Sequence, residues 1–177
     1  VTRAAPSWRL YILSLLFAFS AILAPACHAA DLAGGGSAAP GAAGKLAQEE
    51  RTLLELINGY RQARGLGRLA WNDHLAAAAR AHNEDMARHD YFAHCSPSGD
   101  CLPNRLAAAG YRYRAAAENL AAGQRTPLSV LRAWQNSPGH DENLLAGPMT
   151  EAGIDLDPRT VKGAQRLWTL VLGQPAR

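Results

Sequence analysis

Apolar residues recur along the chain with two periods, and the change from one to the other organises it. Between Leu46 and Arg64, Leu53, Leu54, Ile57 and Tyr60 fall on one side at helical spacing, and Gly65 and Gly67 stop the pattern. A second helix starts at Asn72 or Asp73, either able to cap it, and runs to about His89 with Leu75, Ala78, Ala79, His82 and Met86 as its inner stripe. A third, shorter helix is predicted over Pro103 to Ala109, with Pro103 in its first turn and Gly110 beyond its end. Tyr111-Arg-Tyr113-Arg reads as a short strand with its aromatics on one face. A fourth helix follows Thr126-Pro127, turns Val130, Leu131 and Trp134 inward and ends before Pro138; a helical turn after Gly139 carries Asn143 to Leu145. The period then shortens. Ala152 to Leu156 and Leu167 to Leu172 read as strands joined across Asp157-Pro158 and Lys162-Gly163. Helices first and strands gathered at the end predict an α+β fold.

The N-terminal quarter follows neither period. Arg3 and Arg9 precede an almost continuous apolar stretch from Leu10 to Ala24, with small residues at Ala29 and Ala30. This is the pattern of a secretory signal over residues 1–30, and it places the mature start near Ala30 or Asp31. The stretch falls short of the about 20 apolar residues of a membrane span, and no second one occurs, so no transmembrane segment is expected in the mature chain. Retention as an N-terminal anchor is the alternative. Asp31 to Lys45, rich in Gly, Ala and Pro, reads as a linker, leaving 46–173 as one domain.

Charge excludes more than it indicates. The 177-residue chain carries a formal +3, but without residues 1–30 it keeps 16 basic and 15 acidic side chains. No run of Lys or Arg occurs, so nothing suggests a nucleic-acid partner. Cysteine usage agrees with export to a secreted or periplasmic location. Cys95 and Cys101 form an isolated pair across Ser-Pro-Ser-Gly-Asp, which in an oxidising compartment favours a disulfide; metal binding by the two thiols is the competing reading, without a Cys-x-x-Cys pattern to support it. Cys27, at the end of the signal, raises lipidation and anchoring at the outer membrane face as an alternative, although Ala24-Pro25-Ala26 is a poor match for the processing sequence.

The candidate chemistry lies in His94, Glu118 and His140, separated by 24 and 22 residues. Each is embedded among apolar residues and turn formers able to fix a side chain at the wall of a cleft. Two imidazoles and a carboxylate meeting at one point suit a divalent cation or acid–base work. Phe92-Ala-His94-Cys-Ser96-Pro97-Ser-Gly99, Arg105 with Ala109-Gly110-Tyr111, Glu118-Asn119-Leu120-Ala121, and Trp134 through Ser137-Pro138-Gly-His140 to Asn143-Leu144-Leu145 resemble the bacterial branch of the CAP superfamily. That superfamily includes cysteine-rich secretory proteins, antigen 5 and plant pathogenesis-related proteins. Leu53-Leu-Glu-Leu-Ile57-Asn58 with Arg61, and Leu69-Ala-Trp71-Asn72 with Leu75, resemble its opening helix and turn, so the likeness covers about residues 46–173.

The resemblance implies a three-layer α–β–α sandwich around a central antiparallel sheet, with a central cavity able to bind a divalent metal, zinc foremost. It carries the two family histidines onto His94 and His140 and the glutamate onto Glu118, with Asn119 and Ser137 beside them at the cleft. Two departures stand out. Ala117 precedes Glu118 where Gly is common, and the family's second acidic residue falls near Ser137, with Glu142 a possible substitute from the neighbouring turn. A buried polar network joining three loops is the non-functional reading of the same residues. His82 and His89, on the second helix with Asp85 on a neighbouring face, read as structural, and His74 as exposed at a helix start. Ser96 and Ser137 precede prolines, which is turn chemistry, and no Gly-x-Ser-x-Gly elbow occurs. The function the resemblance implies is non-catalytic binding of a metal and an apolar, lipid-like or envelope-associated ligand, the lipid part resting on the family alone. A metal-dependent hydrolase of peptide or envelope material and a structural interaction module are the alternatives.

Overall fold

A computed structural model describes residues 40–176. The expected signal sequence, its cleavage site, Cys27 and residues 31–39 of the expected linker lie outside these residues. The first helix, α1, spans Pro40–Gln62 and so begins ahead of Leu46. Residues 40–45, assigned above to a linker, are its first turns: Pro40 stands where a missing N–H costs nothing, and Ala42 and Ala43 are strong helix formers. Its inner face is the one expected, with Leu53 and Ile57 fully buried and Leu54 nearly so. After a two-residue strand, β1 (Ala70–Trp71), helix α2 spans Asp73–His89. The Asn72 side chain caps it by accepting from the N–H groups of His74 and Leu75. Helix α3 covers Leu102–Ala108 with Pro103 in its first turn.

Strand β2, Tyr113–Ala122, departs most from expectation. Only its first residues look strand-like in isolation, because Ala115-Ala-Ala117 carries no alternation and favours helix on its own. Pairing overrides that preference: β2 lies antiparallel to the last strand in register from Ala115↔Gln174 to Ala122↔Leu167. Helix α4 (Pro127–Gln135) is capped reciprocally by Thr126 and Ser129, and α5 (Pro138–Leu144) follows at once. β3 (Glu151–Val161) and β4 (Ala164–Pro175) form a hairpin longer than expected. β3 runs through Asp157-Pro158 with a register shift there, and the turn uses left-handed Lys162 and Gly163.

The sheet order is β1-β3-β4-β2. All pairings are antiparallel except that of the short β1, which lies parallel to β3. Alternation along the strands feeds two layers. Ile154, Leu156, Trp168 and Leu170 pack with α1 and α4, whereas Val171 packs with α2 and α3. The α–β–α sandwich expected above is therefore the fold. On the α2 side contact is direct. A Cβ on Gly153 would lie 2.0 Å from the Ala76 nitrogen, so helix and sheet meet backbone to backbone at that point.

On the other side, the buried Arg61 guanidinium binds four carbonyls. Nε donates to Gly67, Nη1 to Leu144 and Ala146, and Nη2 to Met149, at 2.8–3.1 Å. It thereby fixes the α5–β3 connection, which forms one wall of the cavity described next. Arg61→Met keeps much of the packing but strands these carbonyls. It should destabilise the fold by about 3 kcal/mol, read as a lower urea midpoint at unchanged slope. A loss under about 0.5 kcal/mol would show that Arg61 is not what holds this connection.

Candidate functional site

Glu118 organises the site. Its partner in β4 is Val171, so its side chain enters the α2–α3 layer, where the residue is 7% exposed. Arg105 of α3 donates from Nη2 to Oε2 at 2.6 Å. His94 Nδ1 lies 2.9 Å from Oε1, and His82 Nε2 lies 3.8 Å from the same oxygen. Burial pushes the Glu118 carboxyl up, but the His94 hydrogen bond and the charges around it outweigh burial, and the group is held below the ordinary carboxylate range. Arg105 also donates to the carbonyls of His94 and Asp100, tying the 94–100 loop to the same guanidinium.

These contacts orient the histidine rings. An ionised Glu118 can only accept, so His94 donates from Nδ1, and Nε2 is the ring nitrogen left for any other partner. His82 donates from Nε2 to the Ala93 carbonyl at 2.9 Å and steadies the residue preceding His94. The Cys95–Cys101 disulfide, with its Cα atoms 4.3 Å apart, closes the loop that begins there.

His140 belongs to α5, on the other side of the sheet edge. Asn119, fully buried behind the cleft and not at its surface as expected, donates to the His140 carbonyl at 3.0 Å. Asn143 donates to the Asn119 side chain and to the Glu118 carbonyl. Tyr60 of α1 donates to Asp141 at 2.6 Å, so α5 is held from both directions. Burial, and secondarily the nearby charge of His94, push the His140 imidazole below its ordinary value. Ser137 is the α5 cap residue, but its side chain makes no capping bond.

A cavity of about 260 Å³ opens along this edge. His94, Glu118, the disulfide, Ala115 to Ala117, Glu142 and Asn143 are among its lining residues; Ser137 and His140 are not. Among the described residues, no group of three or more His, Cys, Asp or Glu is arranged to hold a metal ion. Both Glu118 oxygens are engaged, so the carboxylate stands behind His94 and not beside it as a third ligand. A cation here would draw on the imidazoles of His94 and His140, with Glu118 orienting the first.

Two site residues are not singled out by the sequence pattern. Arg105 figures there only within a motif, and an invariably cationic side chain on the helix preceding a buried Glu is the signal that points to it. His82 is packed, as expected, but packed onto the site. His89 is exposed and paired with Asp85 at 2.9 Å, away from it.

Two consequences can be measured. Burial pushes the His82 imidazole down to about 4, so the unfolded chain protonates first. The stability this neutral histidine confers is complete above about pH 6.5 and is lost as the pH falls towards 4, by about 3 kcal/mol. Urea midpoints should fall over that window and the His82 ring should remain neutral by NMR at pH 5.5; a ring titrating near 6.5 would refute this. Reducing the disulfide should lower the melting temperature by about 5 °C, equivalent to about 2 kcal/mol of loop closure. Two free thiols in the folded, non-reduced protein would remove the bond from the account.

A model of the cysteine-rich secretory protein family, CAP, matches residues 54–167. The Bacillus subtilis uncharacterized protein YkwD is 39% identical over 105 residues, 59% of this chain and 41% of that one. The uncharacterized membrane protein YlbC of the same species is 33% identical over 108 residues, 61% of this chain and 31% of that one. The chain thus spans less than half the length of these curated relatives. Among solved structures, an extracellular SCP-domain protein from Bacillus anthracis aligns with TM-score 0.68 and 28% identity, covering 79% of this chain and 45% of that one. An outer surface protein of Borrelia burgdorferi aligns with TM-score 0.66 at 20% identity, covering 73% of this chain and 94% of that one, a likeness of fold. With its sandwich and its His94–Glu118 pair in place, the chain belongs to the CAP, or cysteine-rich secretory protein, family.

Proposed function

We propose that this protein is an exported binding domain. It holds a divalent cation through His94 and His140 and takes an apolar, envelope-associated ligand into the adjoining groove. One observation carries the reading: Glu118, itself held by Arg105, takes the Nδ1 of His94 and leaves its Nε2 as the ring nitrogen open to a ligand at the wall of a largely apolar cavity. An imidazole oriented in this way by a carboxylate is the arrangement of a metal-ligating histidine. Export rests on the N-terminal pattern of residues 1–30 and on the extracellular Bacillus anthracis relative. Within the described residues no helix is long and apolar enough to cross a membrane.

Binding is favoured over nucleophilic chemistry because the groove lining contains neither a Ser nor a Thr. A metal-dependent hydrolase is the second reading. The observation in its favour is Glu142, an exposed carboxylate on the groove wall where the family's second acid is otherwise missing. A bound cation would supply a polarised water there.

Calorimetric titration with zinc at neutral pH tests the site. The folded protein should bind saturably. His94→Ala and His140→Ala should each weaken binding at least about tenfold, Glu118→Gln by about tenfold through loss of orientation, and His89→Ala not at all. No saturable binding by the folded protein would sink the cation reading. Turnover of a peptide or envelope substrate, dependent on zinc and on Glu142, would transfer the protein to the hydrolases.

A further inference from the structure

The floor of the groove is the edge of the sheet. Among the described residues β2 ends the strand order and pairs only with β4. Alternate residues of an antiparallel strand direct both main-chain groups to the same side. The Glu118 carbonyl is turned outward, accepting from Asn143 at 3.3 Å, and so is that of Leu120, which accepts from Trp134 Nε1 at 3.0 Å. The same alternation sends the N–H and C=O of Ala116 and the N–H of Glu118 outward. Among the described residues none of these three groups has a turn, loop or side-chain partner. Asn143 and Trp134 therefore close the far half of the edge, and the open half coincides with the stretch of β2 that lines the cavity, Tyr113 to Glu118.

We propose that the groove binds an extended peptide, added to β2 as a fifth strand of the sheet. The inference rests on the groove being the binding site and narrows its ligand class. A lipid tail laid here would cover the Ala116 and Glu118 main-chain groups without satisfying them, which is costly. A peptide main chain offers a donor and an acceptor at the matching spacing. Ala115, Ala116 and Ala117 leave room for it on the edge, and Leu102 and Pro103 on one wall and Pro148 and Met149 on the other favour small or apolar side chains. Charge selects the direction. Arg114 lies at one end of the lining and Glu142 near the Glu118 end, so a peptide amino terminus faces Glu142 and its carboxylate faces Arg114. The added strand then runs antiparallel to β2.

The pentapeptide Ala-Val-Ala-Val-Ala, with free termini, is the probe, titrated into the folded protein and followed by amide NMR. Saturable binding is expected, with shifts and slowed hydrogen exchange at the Ala116 and Glu118 amides. An analogue N-methylated at alternate positions on its pairing edge should bind at least about tenfold more weakly, and C-terminal amidation should weaken binding about threefold. Ala116→Pro removes the outward N–H at a position where an edge strand tolerates proline, and should lose the peptide to the same extent as N-methylation. Equal binding of the plain and N-methylated peptides, or none up to about 1 mM, overturns strand addition. Amidation without effect overturns the stated direction. Zinc and sodium laurate titrated into the same sample separate the failures. Binding of either without the peptide overturns the strand and leaves the proposed function standing; absence of all three removes both.

Discussion

A carboxylate held in the interior must be matched by charge, and this constraint shapes the molecule around Glu118. Left unpaired, the group would be protonated or would open the fold. Arg105 prevents both, and the pairing requires α3 to lie against β2 at one height only. The disulfide loop, the His94 ring and the buried His82 are placed by the same pair. The carboxylate thus works inward on packing and outward on the tautomer of His94. The polar-network and cleft readings of these residues prove not to exclude each other, since the network is what holds the cleft residue.

Legibility in the sequence follows how local the determining forces are. Helices α2 and α4 are legible because Asn72 and Thr126 cap them and their apolar stripes are complete. The start of α1 is hidden because Gly and Pro near residue 40 outweigh the alanines between them. β2 is largely illegible for a deeper reason. Its conformation is imposed by β4, more than forty residues downstream, and the triple alanine has no pattern of its own. The length of the terminal hairpin is masked by Pro158, which reads as an end and is absorbed by a bulge.

The candidate site divides in the same way. His94 and Glu118 stand out by the motifs around them and do meet, and the disulfide pairing is legible from two cysteines across a turn. Glu118's role is not, because whether a carboxylate sits beside a ligand or behind it depends on which oxygen faces which neighbour. That is decided by the register of β2 and by Arg105, 13 residues earlier on another element. Asn119, in the same motif as Glu118, is expected with it at the cleft. Strand alternation sends it to the opposite face, where it holds the α5 backbone.

The backbone contact at Gly153 has a mechanical consequence. At Gly153 no side chain separates α2 from β3, so at that point no compressible layer lies between them and the helix follows the sheet. Compliance near the cleft is left to the 92–101 loop and the α5–β3 connection. The first is stapled by a covalent bond and the second clamped by a guanidinium on four carbonyls. The cavity is thus braced from three directions, so its shape is set by the fold itself.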